Sequence, residues 1–92
     1  MYEPLNDPAA IDAVNLFFDD LIEAADSAQR LPHLRPQVED YRFEALNHAG
    51  MRRTQDQLRG FLSGLLVADV LTPEQGRAFG LRMQAGCKAG WL

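Results

Sequence analysis

Residues 54–75, TQDQLRGFLSGLLVADVLTPEQ, constrain the fold more than any other stretch, because a helix is stopped there by a turn that at once starts another. Thr54 and Gln57 stand at capping-box spacing, and Thr72 and Gln75 repeat it. Pro73 then occupies a first helical position, where its missing N–H is no loss. Turning about 100° per residue, Leu58, Phe61, Leu62, Leu65 and Leu66 fall on one face of the first helix. Gly60, Gly64, Val67 and Leu71 fall on nearly the opposite face, and only Asp56, Arg59 and Ser63 make a polar sector. A helix at about 55–71 that is apolar on two sides is expected at the centre of a fold, with neighbours on both.

Working outward from that helix, Asp7-Pro8 supplies both a cap and a proline at the first helical position, and no breaker follows until Pro32. The pattern predicts a helix over about 8–30, burying Ile11, Val14, Phe18, Leu21, Ile22 and Ala25 with Phe17 at the border. Pro32 and Pro36 mark a turn, and a second helix is expected over 36–49 with Gly50 beyond its end. Its inner face is Val38, Tyr41, Ala45, Leu46 and Ala49, with Phe43 pointing elsewhere as a second contact or an exposed aromatic. Two readings stay open, a stop at Gly50 or a run through Met51-Arg52-Arg53 into the central helix, and Thr54 as a cap argues for the stop. The last helix is expected over 73–86, with Phe79, Met83 and Cys87 on its best face and Trp91 beyond. Each glycine inside it costs about 1 kcal/mol against alanine, so packing must hold it. Gly60/Gly64 and Gly76/Gly80 share a spacing that would let two helices cross closely, or are simply tolerated on uncritical faces. No alternating run of β-branched residues appears. The expectation is a single all-α domain, a small bundle of about four helices.

An apolar fraction of 47% in 92 residues suits one globular core. The lone cysteine excludes an intrachain disulfide and fits a reducing cytoplasm. The N-terminal residues carry no signal-peptide pattern, and no apolar run is long enough for a bilayer, so no membrane association is expected. The net charge of -4 conceals a division. Residues 1–44 carry ten acids and three arginines, a balance of -7, whereas residues 45–92 carry three acids and six bases, a balance of +3. Part of that division serves attraction within the fold, and the rest is a field that steers a basic partner.

Catalytic and metal signatures are weak. Cys87, Ser27 and Ser63 have only His33 and His48 as imidazole partners, with no motif around either. Cys87 shares an apolar face and reads as a structural thiol. Glu44 and His48 lie four apart on one helix, with Asp40 a turn earlier, half of a metal site without a second half. Neither a phosphate-binding loop nor a dinucleotide fingerprint occurs. The expectations are no enzyme activity, no cofactor and no metal. Asp69, near the end of the central helix where a carboxylate opposes the helix dipole, is expected to pair with Arg77 or Arg82 or to bond the backbone of the turn.

What remains is the outer face of the first helix. Asp12, Asn15, Asp19, Glu23 and Asp26 share it, Asp20 stands beside them, and Leu16 projects among them. The acids recur at helical spacing with no lysine or arginine between them, so they repel unless something else faces them. Asp12, Leu16, Asp19, Asp20, Glu23, Asp26 and Phe43 are therefore the candidate partner-binding residues. Carboxylates along one helix can occupy a basic groove meant for phosphates. The sequence thus reads as a small acidic module binding a protein partner with a basic surface. By analogy at the level of class, it is an inhibitor or modulator of a nucleic-acid-handling complex, like the anti-CRISPR and anti-restriction proteins of phages and mobile elements. One alternative is a helix-turn-helix regulator with Arg77, Arg82 and Lys88 facing DNA and Arg52, Arg53 and Arg59 on phosphates, which the acidic net charge and glycine-rich last helix disfavour. Another is an oligomerising subunit or homodimer that packs the last helix and Trp91 across a two-fold.

Overall fold

The computed structural model describes residues 2–92. Four helices follow one another, α1 (Pro8–Asp26), α2 (Leu34–Asn47), α3 (Arg52–Val67) and α4 (Pro73–Ala89), with no strand among the described residues. Each helix lies beside the next and α4 closes the ring against α1. The all-α bundle expected from the periodicity is the observed fold. The lead-in to α1 is extended and clipped to the far end of α2, with Leu5 N–H donating to the Leu46 carbonyl at 2.8 Å.

Local chemistry explains the helix ends. The Asp7 side chain accepts from Ala9 N–H with Pro8 at N1, as the sequence implies. The helix stops at Asp26 rather than near residue 30, because that carboxylate accepts from Arg30 N–H at 2.7 Å and Leu31 N–H at 2.9 Å. Those amides are lost to the helical ladder, and Gln29 turns into the left-handed region at φ +56°. α2 begins two residues before Pro36, and Gly50 at φ +85° ends the turn after it, so α2 and α3 are separate. Thr54 does not cap α3. The helix starts at Arg52 behind an extended Met51, and Thr54 is inside it as the buried polar residue of the core. Only the box at Thr72 and Gln75 forms, with both reciprocal hydrogen bonds in place.

The far end of α3 also comes early, at Val67. Val70 N–H donates to the Leu65 carbonyl at 2.9 Å and Asp69 N–H to the Leu66 carbonyl at 3.1 Å, which is a Schellman closure. Asp69 occupies its left-handed position at φ +60°. It is exposed and pairs with neither Arg77 nor Arg82, so its role is the backbone turn alone.

The core gathers Val14, Phe17, Phe18 and Leu21 of α1, Val38, Tyr41 and Ala45 of α2, Leu58, Leu62 and Leu65 of α3, Phe79 and Met83 of α4, and Leu71 and Leu92 beyond the helices. Phe17 is fully buried rather than marginal. Its ring meets the edges of Phe18 at 5.0 Å and Phe79 at 5.8 Å, and Trp91 lies 6.1 Å away. Burying one such side chain contributes about 1.5–3 kcal/mol. α3 packs against α2 and α4 through its Leu58 side only, and Gly60, Gly64 and Val67 face solvent, Val67 with 84% of its surface exposed.

Of the four spaced glycines only Gly76 brings α3 and α4 close, since a Cβ there would stand 3.2 Å from Leu66 Cδ1. A Cβ at Gly60, Gly64 or Gly80 would meet nothing within 4 Å, so these glycines are tolerated rather than required. The tightest approach is at Gly86, where a Cβ would stand 2.7 Å from the Trp91 ring. After α4, Gly90 turns at φ +87°, and Trp91 N–H and Leu92 N–H both donate to the Gly86 carbonyl. Trp91 is thereby folded back onto its own helix. It is half-buried against the core.

Candidate protein-binding face

α1 presents Asp12, Leu16, Asp19 and Glu23 outward, directly opposite the Val14–Phe18–Leu21 stripe. All four are exposed, Leu16 at 58%. Asp19 and its neighbour Asp20 are met by arginines from other helices, whereas Asp12 and Glu23 have no ion pair among the described residues. Arg42 of α2 donates through Nη2 to Asp19 at 2.6 Å and to Glu39 at 3.1 Å, and through Nη1 to Asn15 at 3.1 Å. Its side chain is only 14% exposed against 64% for Asp19. The cation is sunk between the two helices while the carboxylates stand at the surface. Its Nε–H has no partner, so the guanidinium is held by its two outer nitrogens.

Arg42 therefore fixes α1 against α2 and fixes the carboxylates of both on one face. Leu16 stands exposed among the α1 acids, whereas Phe43 lines a shallow groove on the other side of α2 with Arg53, Thr54 and Gln57 of α3. Phe43 is 57% exposed and its ring lies edge-on to His48 at 6.3 Å. Four of the predicted residues, Asp12, Leu16, Asp19 and Glu23, thus share one surface, and Phe43 lies apart from them.

Asp20 and Asp26 are also placed elsewhere. Asp20 points toward α4 and pairs with Arg82 at 3.1 Å. The Arg82 guanidinium also lies 5.4 Å from the ring centroids of both Phe17 and Phe79, which fixes it by cation–π attraction. Asp26 is occupied in ending α1. Sequence reasoning missed Glu39 and Arg42. Their i,i+3 spacing was a legible signal, whereas the reach of Arg42 across to α1 was not.

The remaining titratable groups are dispersed. His48 Nδ1 and Glu44 Oε2 lie 2.8 Å apart as a surface pair, and His33 is in the exposed turn before α2. Cys87 is half-buried against the core. Among the described residues no three His, Cys, Asp or Glu side chains are grouped to hold a metal ion. Nor is any described helix long and apolar enough to cross a membrane.

The chain matches no protein-family model, no curated protein and no solved structure. The face just described is accordingly the ground for a functional reading.

Proposed function

We propose that this chain is a non-enzymatic, acidic protein-binding module that docks the α1–α2 face on a basic surface of a nucleic-acid-handling protein and thereby inhibits or modulates it. The observation that carries this reading is the Arg42 clip. It holds Asp19 and Glu39 in place and leaves Leu16 as an apolar side chain among carboxylates. A surface of that kind suits a groove that binds phosphates. The anions supply attraction over the Debye length, and Leu16 supplies buried apolar area once contact is made. Counter-defence proteins of phages and mobile elements, such as anti-CRISPRs, are the functional class with these requirements.

The DNA-binding alternative is weakened by the place of Arg82, which is engaged by Asp20 and two phenylalanine rings. Asp19 and Asp20 are poor sites for testing the binding face, because replacing either breaks an internal ion pair. Asp12, Leu16 and Glu23 form no cross-helix ion pair or hydrogen bond of the α1–α2 clip. A variant carrying Asp12→Lys, Leu16→Ser and Glu23→Lys should fold as wild type by circular dichroism. In pull-downs from nuclease-treated host lysate, wild type should retain a nucleic-acid-binding protein that the variant does not retain and that duplex DNA displaces. Equal retention by the folded variant refutes the assigned face. Retention unaffected by duplex DNA refutes the phosphate-groove reading.

A further inference from the structure

On the opposite half of the molecule, α3 and α4 diverge around an open groove of about 450 Å³. Leu62, Leu66 and Met83 supply its apolar lining, and Gly76 and Gly80 leave its α4 wall low. Arg59 and Gln84 stand at its rim. Arg77 is three residues before Gly80 and Lys88 four after Gln84, which puts both cations on the groove side of α4. Arg52 is two turns before Arg59 on α3. Among the described residues Arg59 is the one charged residue lining the groove, and it pairs with Asp56 at 2.8 Å. Arg52, Arg77 and Lys88 stand beyond it on the same two helices with Glu74 one turn before Arg77, so cations around the groove outnumber acids by four to two.

We propose that this groove receives the α1 ridge of a second copy of the chain, with Leu16 seated between α3 and α4. The two surfaces are complementary in both respects that matter. Leu16 is an exposed apolar knob whose neighbours at i−4, i+3 and i+7 are Asp12, Asp19 and Glu23. The groove is an apolar hollow edged by arginine and lysine. Opposed potentials steer such faces together, and the desolvated leucine gives the contact its specificity. α1 and α3 are not neighbours in the helix ring, so one molecule cannot fill its own groove with its own ridge. The contact is heterologous and propagates head to tail. Because the ridge also belongs to the proposed partner face, self-association and partner capture compete for Leu16.

Sedimentation velocity on the purified chain tests this without any foreign partner, so its outcome is separate from that of the pull-down. Gly80→Leu fills the groove and should not harm the fold, since a Cβ there meets nothing within 4 Å and a helical glycine is removed. Leu16→Lys disables the ridge. At concentrations up to about 1 mM, the weak end of specific association, wild type should grow past the dimer and revert toward monomer in about 0.5 M salt. Each variant alone should remain monomeric. Their equimolar mixture should stop at a dimer, because one supplies the only working ridge and the other the only working groove. A wild type that stays monomeric overturns the proposal, as does a closed dimer that survives Leu16→Lys. A Gly80→Leu variant that loses duplex-DNA binding while wild-type self-association is absent would assign the groove to a polyanion instead.

Discussion

Replacing Gly86 by alanine should destabilise the fold, although the same substitution at Gly80, earlier in the same helix, should stabilise it. Alanine gains about 1 kcal/mol over glycine in a helix interior. At Gly80 the added methyl meets nothing within 4 Å, so that gain is kept. At Gly86 it would stand 2.7, 2.8 and 2.9 Å from Cη2, Cζ2 and Cζ3 of Trp91, well inside the about 3.5–4.0 Å at which carbon atoms attract. The indole has little freedom to retreat. Phe17 packs beside it, Leu92 behind it is buried, and the Leu92 carbonyl accepts from Gln55 Nε2 at 2.9 Å. Overpacking of this kind costs about 1–3 kcal/mol, which cancels or exceeds the helical gain. The two alanine variants should therefore differ by about 1–3 kcal/mol, or roughly 5–20 °C in Tm for a domain of this size. Thermal melts followed by circular dichroism measure the difference. In a Trp91→Ala background the clash is gone, and Gly86→Ala should turn stabilising, so a double-mutant cycle should show coupling between the two positions. If Gly86→Ala melts as high as Gly80→Ala in the wild-type background, Trp91 is not seated on α4.

Two further predictions concern the turn after α3 and the α1–α2 clip. Asp69→Gly should raise stability by about 1 kcal/mol, by relieving left-handed strain and removing an anion from the helix C-terminus. Asp69→Ala should change it little, because the side chain has no ion pair to lose; a loss comparable to breaking a buried contact in a urea melt would restore a side-chain role. At the clip the buried member is the cation. Asp19→Ala with Glu39→Ala should cost about 1–2 kcal/mol by stranding the guanidinium. Arg42→Met, which leaves only exposed carboxylates to rehydrate, should cost less. The reverse order in urea denaturation would show that Arg42 is solvated.

The parts of this fold that were legible in the sequence are those decided within a few residues. Asp7-Pro8 and Thr72-Pro73 start helices because cap and proline act on the adjacent amides, and the apolar stripes assign the inner faces of α1, α2 and α4. Helix ends were harder, since a competing side chain can take the same amides. Asp26 does so and shortens α1, where periodicity alone would continue it. Thr54 and Gln57 had the spacing of a cap, but burial against the core won and the helix began upstream. Of the candidate site, the outward position of Asp12, Leu16, Asp19 and Glu23 follows from helical spacing. The pairing of Asp19 with Arg42 and of Asp20 with Arg82 spans 23 residues in one case and most of the chain in the other, and no local pattern encodes either.

Those cross-helix pairs also change what the charge division means. The opposed balances of the two halves invite a picture of halves attracting across the fold, and Asp20 with Arg82 is such a contact. Asp19, however, is answered by Arg42 from its own acidic half, and Asp56 by Arg59 from its own basic half. Most of the excess in each half is therefore not spent on the other. Asp12 and Glu23 remain exposed on one side, and Arg77 and Lys88 on the other. A bundle that needed charge only for folding would gain by cancelling it, because exposed ion pairs contribute little and like charges within a helix cost. A molecule that keeps an acidic, leucine-tipped ridge opposite a basic, leucine-floored groove has two orienting poles. Its encounters with any charged surface, another copy included, should be fast at low ionic strength and slow as salt screens the poles.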